Sequence, residues 1–110
     1  MKRSRIYSPY AVEAARLLGA QISLARRERR WSMRELAERV GTTEFTLGKV
    51  ERGDPTVSLG LAFEAATLVG VPLFHEDPSR MTLDIDRVRD RIALLPHRVR
   101  ARKEDVRDDF

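Results

Sequence analysis

Residues 32–53 read SMRELAERVGTTEFTLGKVERG, and the fold is decided in that stretch. Ser32 is a good helix N-cap. Glu35, three residues on, completes a Ser-x-x-Glu capping box, in which each side chain satisfies a backbone N–H that the first helical turn leaves orphaned. Leu36, Ala37 and Val40 recur at helical spacing on one face, while Arg34, Glu38 and Arg39 occupy the others. Gly41 can take the φ > 0 conformation that stops a helix abruptly. Thr43 is a second N-cap, Leu47 and Val50 continue a narrow apolar face, and Gly53 closes the second helix. The stretch is two short helices joined by a tight turn, the second offered to a partner.

Such a unit is a helix-turn-helix. The pattern Ser-x-x-Glu-Leu-Ala-x-x-x-Gly-Thr-Thr-x-x-x-Leu-x-x-x-Glu-x-Gly resembles the Cro/C1-type (XRE) family of phage repressors and bacterial regulators, over roughly residues 16–74. The resemblance implies an all-α fold: a lambda-repressor-like five-helix DNA-binding domain, here with an extra C-terminal helix and a flexible charged tail. It also implies that the third helix enters the major groove. Carried over position by position, Glu44 and Phe45 at the start of that helix, and Lys49 one turn on, read base edges. Glu44 suits cytosine N4, Lys49 suits guanine O6/N7 and Phe45 suits a thymine methyl. Ser32, Met33, Thr43, Thr46 and Arg52 fall at phosphate-binding positions, which fix register without reading sequence. The family usually has Gln where this chain has Met33, so any phosphate contact there comes from the N–H groups of the helix N-terminus. Arg26 and Glu51 match a structural ion pair tying the first helix to the third.

Composition agrees with a DNA partner. Residues 1–53 carry 12 Lys+Arg against 6 Asp+Glu, a balance of +6, and residues 54–110 carry 9 against 11, a balance of −2; together they give the net +4. The positive half holds the helix-turn-helix, as phosphate neutralisation requires. Cysteine is absent, which excludes thiol and disulfide chemistry and favours a reducing compartment. No apolar run approaches the roughly 18 residues of a membrane span, and the basic N-terminus lacks the apolar core of a secretory signal. A soluble, cytoplasmic, bacterial protein, on the nucleoid when bound, is expected.

Along the chain, residues 1–9 form a basic arm and residues 10–75 the helix-turn-helix domain. The first helix is expected over residues 10–30, with Ala11, Ala14, Ala15, Leu18, Ile22 and Ala25 as its apolar stripe. Trp31 reads as a core anchor between two helices. Ser58 caps a fourth helix that Gly70 ends. Residues 76–83 read as a connector. Residues 84–95 read as a C-terminal helix with Ile85, Val88, Ile92 and Leu95 on one face, suited to dimerisation or another partner. Residues 96–110 form a charged tail with too few apolar side chains to fold alone.

Catalytic signals are missing. His75 and His97 stand 22 residues apart without ligand spacing around them, and no phosphate loop or nucleophile motif occurs. No cofactor, no metal and no enzymatic activity are expected. The Arg-rich first helix, ERGDPTVSLG after the third helix, and the short charged tail resemble HipB-like antitoxins of HipA-type toxin–antitoxin modules. That resemblance implies a homodimeric repressor of its own operon that binds a palindromic operator and a HipA-like kinase toxin. The alternatives are a stand-alone regulator of the same family and a protein-binding module that uses the helix-turn-helix only as a scaffold.

Overall fold

The computed structural model describes residues 5–98, which hold five helices and no strand. These are α1 (Pro9–Glu28), α2 (Met33–Val40), α3 (Glu44–Glu51), α4 (Leu59–Leu68) and α5 (Pro78–Ala93). Two compact units divide them: one ends at Glu76 and holds α1–α4, and the other begins at Asp77 and holds α5. The all-α architecture expected from the sequence is present, with five helices among the described residues; four of them lie in the first unit, and the helix expected in addition to a five-helix domain is the fifth of the chain. Of the basic arm expected over residues 1–9, Pro9 already belongs to α1 and residues 1–4 lie outside the described residues. Residues 99–110, the greater part of the expected tail, lie outside them too.

Local chemistry sets each boundary. Ser32 and Glu35 form the reciprocal capping box, with Glu35 N–H to Ser32 Oγ at 3.0 Å and Ser32 N–H to Glu35 Oε1 at 2.9 Å. Gly41 ends α2 in the left-handed region (φ 88°). Thr43 and Ser58 cap α3 and α4 as the sequence predicts. Two boundaries differ from expectation. α1 stops at Glu28 rather than residue 30, because Arg30 turns left-handed (φ 60°) and the Trp31 N–H bonds back to the Arg26 carbonyl at 3.1 Å. With Arg30 N–H on the Arg27 carbonyl at 2.9 Å, this is a Schellman ending that carries Arg where Gly is usual. α5 starts at Pro78, inside the stretch read as connector. The Asp77 carboxylate accepts the Ser79 N–H at 2.9 Å, and Pro78 fills the first helical position, where a missing N–H costs nothing. Asp77-Pro78 is therefore a start signal, not a breaker.

The core of the first unit is built from Ile22, Leu36, Leu47 and Val69, all fully buried, with Ala37, Val50, Ala62, Ala65 and Ala66 between them. Each fully buried large side chain contributes about 1.5–3 kcal/mol. The small residues let the helices approach closely. At Gly19 the approach is extreme: a Cβ there would lie 2.4 Å from the Val50 carbonyl oxygen and 2.6 Å from that of Glu51. The C-terminal end of α3 thus rests directly on the α1 backbone. The N-terminal part of the expected α1 stripe does not join this core, since Ala11 and Ala14 are exposed and the buried run begins at Gly19.

The expected ion pair locks the same junction. Arg26 Nε donates to Glu51 Oε2 at 2.7 Å and Nη2 to Oε1 at 3.1 Å, a bidentate pair with both side chains 8% exposed. Arg26 Nη1 also donates to the Trp31 carbonyl at 2.8 Å, so one guanidinium holds α1, the α1–α2 turn and α3 together. Trp31 packs half-buried against the core, and the Arg39 guanidinium lies 4.2 Å from its ring centroid.

Two outcomes are expected. Gly19→Ala gains about 1 kcal/mol of helix propensity, but overpacking against backbone costs up to about 3 kcal/mol, so a net loss of ~2 kcal/mol should appear in chemical denaturation. Unchanged stability would mean that α1 and α3 are not in contact there. Glu51→Ala strands a buried guanidinium and should cost about 3–5 kcal/mol. Glu38→Ala, which removes the exposed partner of Arg34, should change stability by less than about 0.5 kcal/mol. Equal effects from the two variants would show the Arg26 pair to be solvated.

Candidate nucleic-acid interface

α3 has an inner and an outer side. Leu47 and Val50 point into the core, and Glu51 reaches Arg26. On the opposite side, at i, i+4 and i+7, stand Phe45, Lys49 and Arg52, with Glu44 round the flank. Phe45 is 73% exposed, so its ring is available to a partner. Thus three of the residues expected to meet DNA share one outward strip. Glu44 sits in the first turn, where the helix dipole favours a carboxylate.

Gly48 is buried on the same helix. A Cβ there would meet Arg52 Nη1 at 3.1 Å and Met33 Cε at 3.7 Å, so the Arg52 guanidinium and the Met33 methyl both close over it. Met33 therefore spends its side chain on packing and is half-buried. Only the backbone at the start of α2 is left to face a phosphate from this position. Ser32, beside it, is exposed and uses its oxygen as an acceptor for the Glu35 N–H, which leaves its hydroxyl proton to donate.

Thr43 and Thr46 act as one unit. Thr43 Oγ1 accepts the Thr46 N–H at 3.1 Å, and the two hydroxyl oxygens are themselves 3.1 Å apart. Two hydroxyl protons serve that cluster and one is consumed between them, so a single O–H remains for an outside acceptor. The two residues offer one phosphate donor, not two.

Lys49 is braced. Its Nζ lies 5.7 Å from the Phe45 ring centroid and 3.9 Å from Asp54 Oδ2. Asp54 in turn accepts the Thr56 hydroxyl at 2.6 Å and the Thr56 N–H at 2.8 Å. These bonds, led by the hydroxyl, and the nearby Lys49 and Arg52 charges hold the Asp54 carboxyl below the usual carboxylate range. This brace is not among the roles expected from the sequence. The signal was there, because Asp two residues before Thr is the spacing of a side-chain-to-backbone turn. A second acidic side chain, after Glu44, thus stands next to the outward strip, in a half-exposed pair with Lys49.

A carboxyl whose folded-state pKa is depressed adds stability above its unfolded value and loses it as pH falls through the folded value. Asp54→Asn should therefore melt below wild type near neutral pH, and the gap should close as the medium is acidified past the Asp54 titration. A gap that persists unchanged into strong acid would assign the loss to packing and not to the carboxylate.

No group of three or more His, Cys, Asp or Glu among the described residues is arranged to hold a metal ion, and no helix among them is long and apolar enough to cross a membrane. No curated protein and no solved structure gives a significant match to the chain. The family described as HTH_3, helix-turn-helix, matches residues 22–75, a span that runs from the middle of α1 through α2, α3 and α4. Residues 22–75 are accordingly similar to helix-turn-helix domains of the Cro/C1 (XRE) type, which supports a DNA-binding role in transcription regulation for the protein that carries them.

Proposed function

We propose that this regulator is a sequence-specific repressor that binds a palindromic operator as a homodimer, with α3 of each copy in a major groove. The observation that carries the reading is the outward strip Phe45, Lys49 and Arg52 on a helix whose inner side is fixed by Gly19 and by the Arg26–Glu51 pair. A rigidly mounted helix with an apolar ring and two cations facing away from the core suits a groove walled by phosphates. Lys49 and Glu44 read base edges and Phe45 meets a thymine methyl. Arg52, Ser32, the Thr43–Thr46 hydroxyl pair and the amides beginning at Met33 hold the backbone. One such module offers too few contacts for tight binding, so two copies place their α3 helices about 34–36 Å apart on successive grooves.

The finer reading is an antitoxin similar to HipB, repressing its own operon and binding a HipA-like kinase toxin. Its support is resemblance in the Arg-rich α1, the ERGDPTVSLG stretch and the charged tail. Of these, ERGDPTVSLG has a structural use of its own: Glu51 completes the buried pair, Gly53 ends α3 and Asp54 braces Lys49. A stand-alone regulator remains the alternative. Co-expression with a HipA-like kinase toxin separates them: growth rescue and a stable complex support the antitoxin, and neither appears for a stand-alone regulator.

Arg52→Ala should weaken binding to all duplexes alike and lower the slope of log K against log salt by about one. Loss confined to one sequence would contradict a phosphate role. Lys49→Ala or Glu44→Ala should instead change the motif returned by selection from randomised duplexes, at about 1–3 kcal/mol per lost bidentate pair. An unchanged motif from both variants would move the reading face elsewhere on α3.

A further inference from the structure

Residues 26–30 read Arg-Arg-Glu-Arg-Arg across the end of α1, and the fold employs most of these arginines. Arg26 binds Glu51 and the Trp31 carbonyl. Arg27 Nε donates to Ser23 Oγ at 3.1 Å. The Arg29 guanidinium lies 5.7 Å from the Trp31 ring centroid, and a Cβ at Gly70 would meet its Nη2 at 2.8 Å. Arg29 thus brings a cation to the C-terminal end of α4, whose last turn carries none of its own. Arg39, from α2, covers the same indole. Arg30 differs. Its side chain is exposed and makes no hydrogen bond, ion pair or ring contact among the described residues.

The backbone of Arg30 makes this idleness costly. At φ 60° it occupies the left-handed region, where a Cβ crowds the neighbouring carbonyl and glycine has none to crowd. A glycine would return Trp31 to the core without that penalty. What arginine adds here is a cation on the surface of the α1–α2 turn.

The start of α2 is short of such a cation. Met33 closes its methyl over Gly48 and offers no donor. The Glu35 carboxylate takes the Ser32 N–H at 2.9 Å, which spends that donor and sets a negative charge beside the first turn. Arg34 is drawn to Glu38, at 3.4 Å. Arg30 stands two residues before Ser32, at most about 7 Å along the chain, a distance that an extended arginine side chain spans.

From this juxtaposition, and resting on the backbone-holding role proposed above for Ser32 and the amides beginning at Met33, we infer that Arg30 is a phosphate-binding arm for duplex DNA. Its guanidinium clamps the stretch of sugar-phosphate backbone that meets the start of α2 and offsets Glu35 there. The contact fixes the strand without reading a base. The strain of a left-handed arginine is present in the free protein and is offset when the duplex binds.

Arg30→Gly and Arg30→Lys in the full chain test the arm, with a labelled random-sequence duplex followed by fluorescence anisotropy across a salt series. The glycine variant should melt no lower than wild type, because it relieves the turn. It should bind about tenfold more weakly at low salt and lower the slope of log K against log salt by about one. Arg30→Lys should keep the wild-type slope, since a cation remains. A wild-type slope in the glycine variant would overturn the inference. So would a melting temperature below wild type, which would give the Arg30 side chain a part in the fold. Arg52→Ala separates this inference from the reading on which it rests. A lowered slope there, with an unchanged one in Arg30→Gly, leaves α3 on the DNA without the arm. A wild-type chain that binds no duplex in a salt-dependent way removes the DNA reading itself, and the arm with it.

Discussion

The bidentate contact between Arg26 and Glu51 is the constraint on which the rest depends. Each partner alone would be a charge in a nearly closed site, which is costly. Together, with the Trp31 carbonyl taking a third guanidinium bond, the group is satisfied, and no buried side-chain nitrogen or oxygen among the described residues lacks a partner. A hydrophobic pair of equal volume would hold α1 to α3 as tightly, but it would not fix their rotation. The fork geometry of guanidinium on carboxylate does, and rotation of α3 decides which of its residues face outward.

Gly19 supplies the translation that complements this rotation. With no Cβ, it lets the carbonyls of Val50 and Glu51 rest on α1, so the end of α3 is set by backbone against backbone. Two rigid references at one end of an eight-residue helix suffice to aim the other. The outward side is then free to vary in chemistry without disturbing the mount, which is how one scaffold can serve many sequences. Asp54 adds to this mount: it caps the loop through Thr56 and also pairs with Lys49, whose Nζ lies beside the Phe45 ring. Lys49, which we propose reads a base, is thus partly pre-positioned, and pre-positioning lowers the entropy lost on binding.

α5 follows a different rule. Its cap is local and its charges are distributed all round. Within the first unit Ile22, Leu36, Leu47 and Val69 are fully buried in the α1–α4 core, whereas none of the α5 residues is buried.

The helices of the first unit were legible because their signals are local. A capping box, a glycine able to adopt φ > 0 and a threonine N-cap act over three or four residues, so Ser32–Gly53 announces itself in any context. The Arg26–Glu51 pair was legible only through resemblance, since 25 residues separate the partners and no periodicity links them. Boundaries slipped where one residue type serves two purposes. Arg30 looks like a helix former yet sits left-handed, because returning Trp31 to the core outweighs its backbone preference. Pro78 looks like a breaker yet opens α5. Gly19 and Gly48 gave no hint of their use, for a glycine inside a helix shows only that a side chain is missing, not what stands in its place. The sequence by itself determined the elements and the class of partner, through caps, spacing and the positive half of the chain. Tertiary structure alone decided which faces meet and which remain open, because close approach and burial depend on residues far apart in the chain.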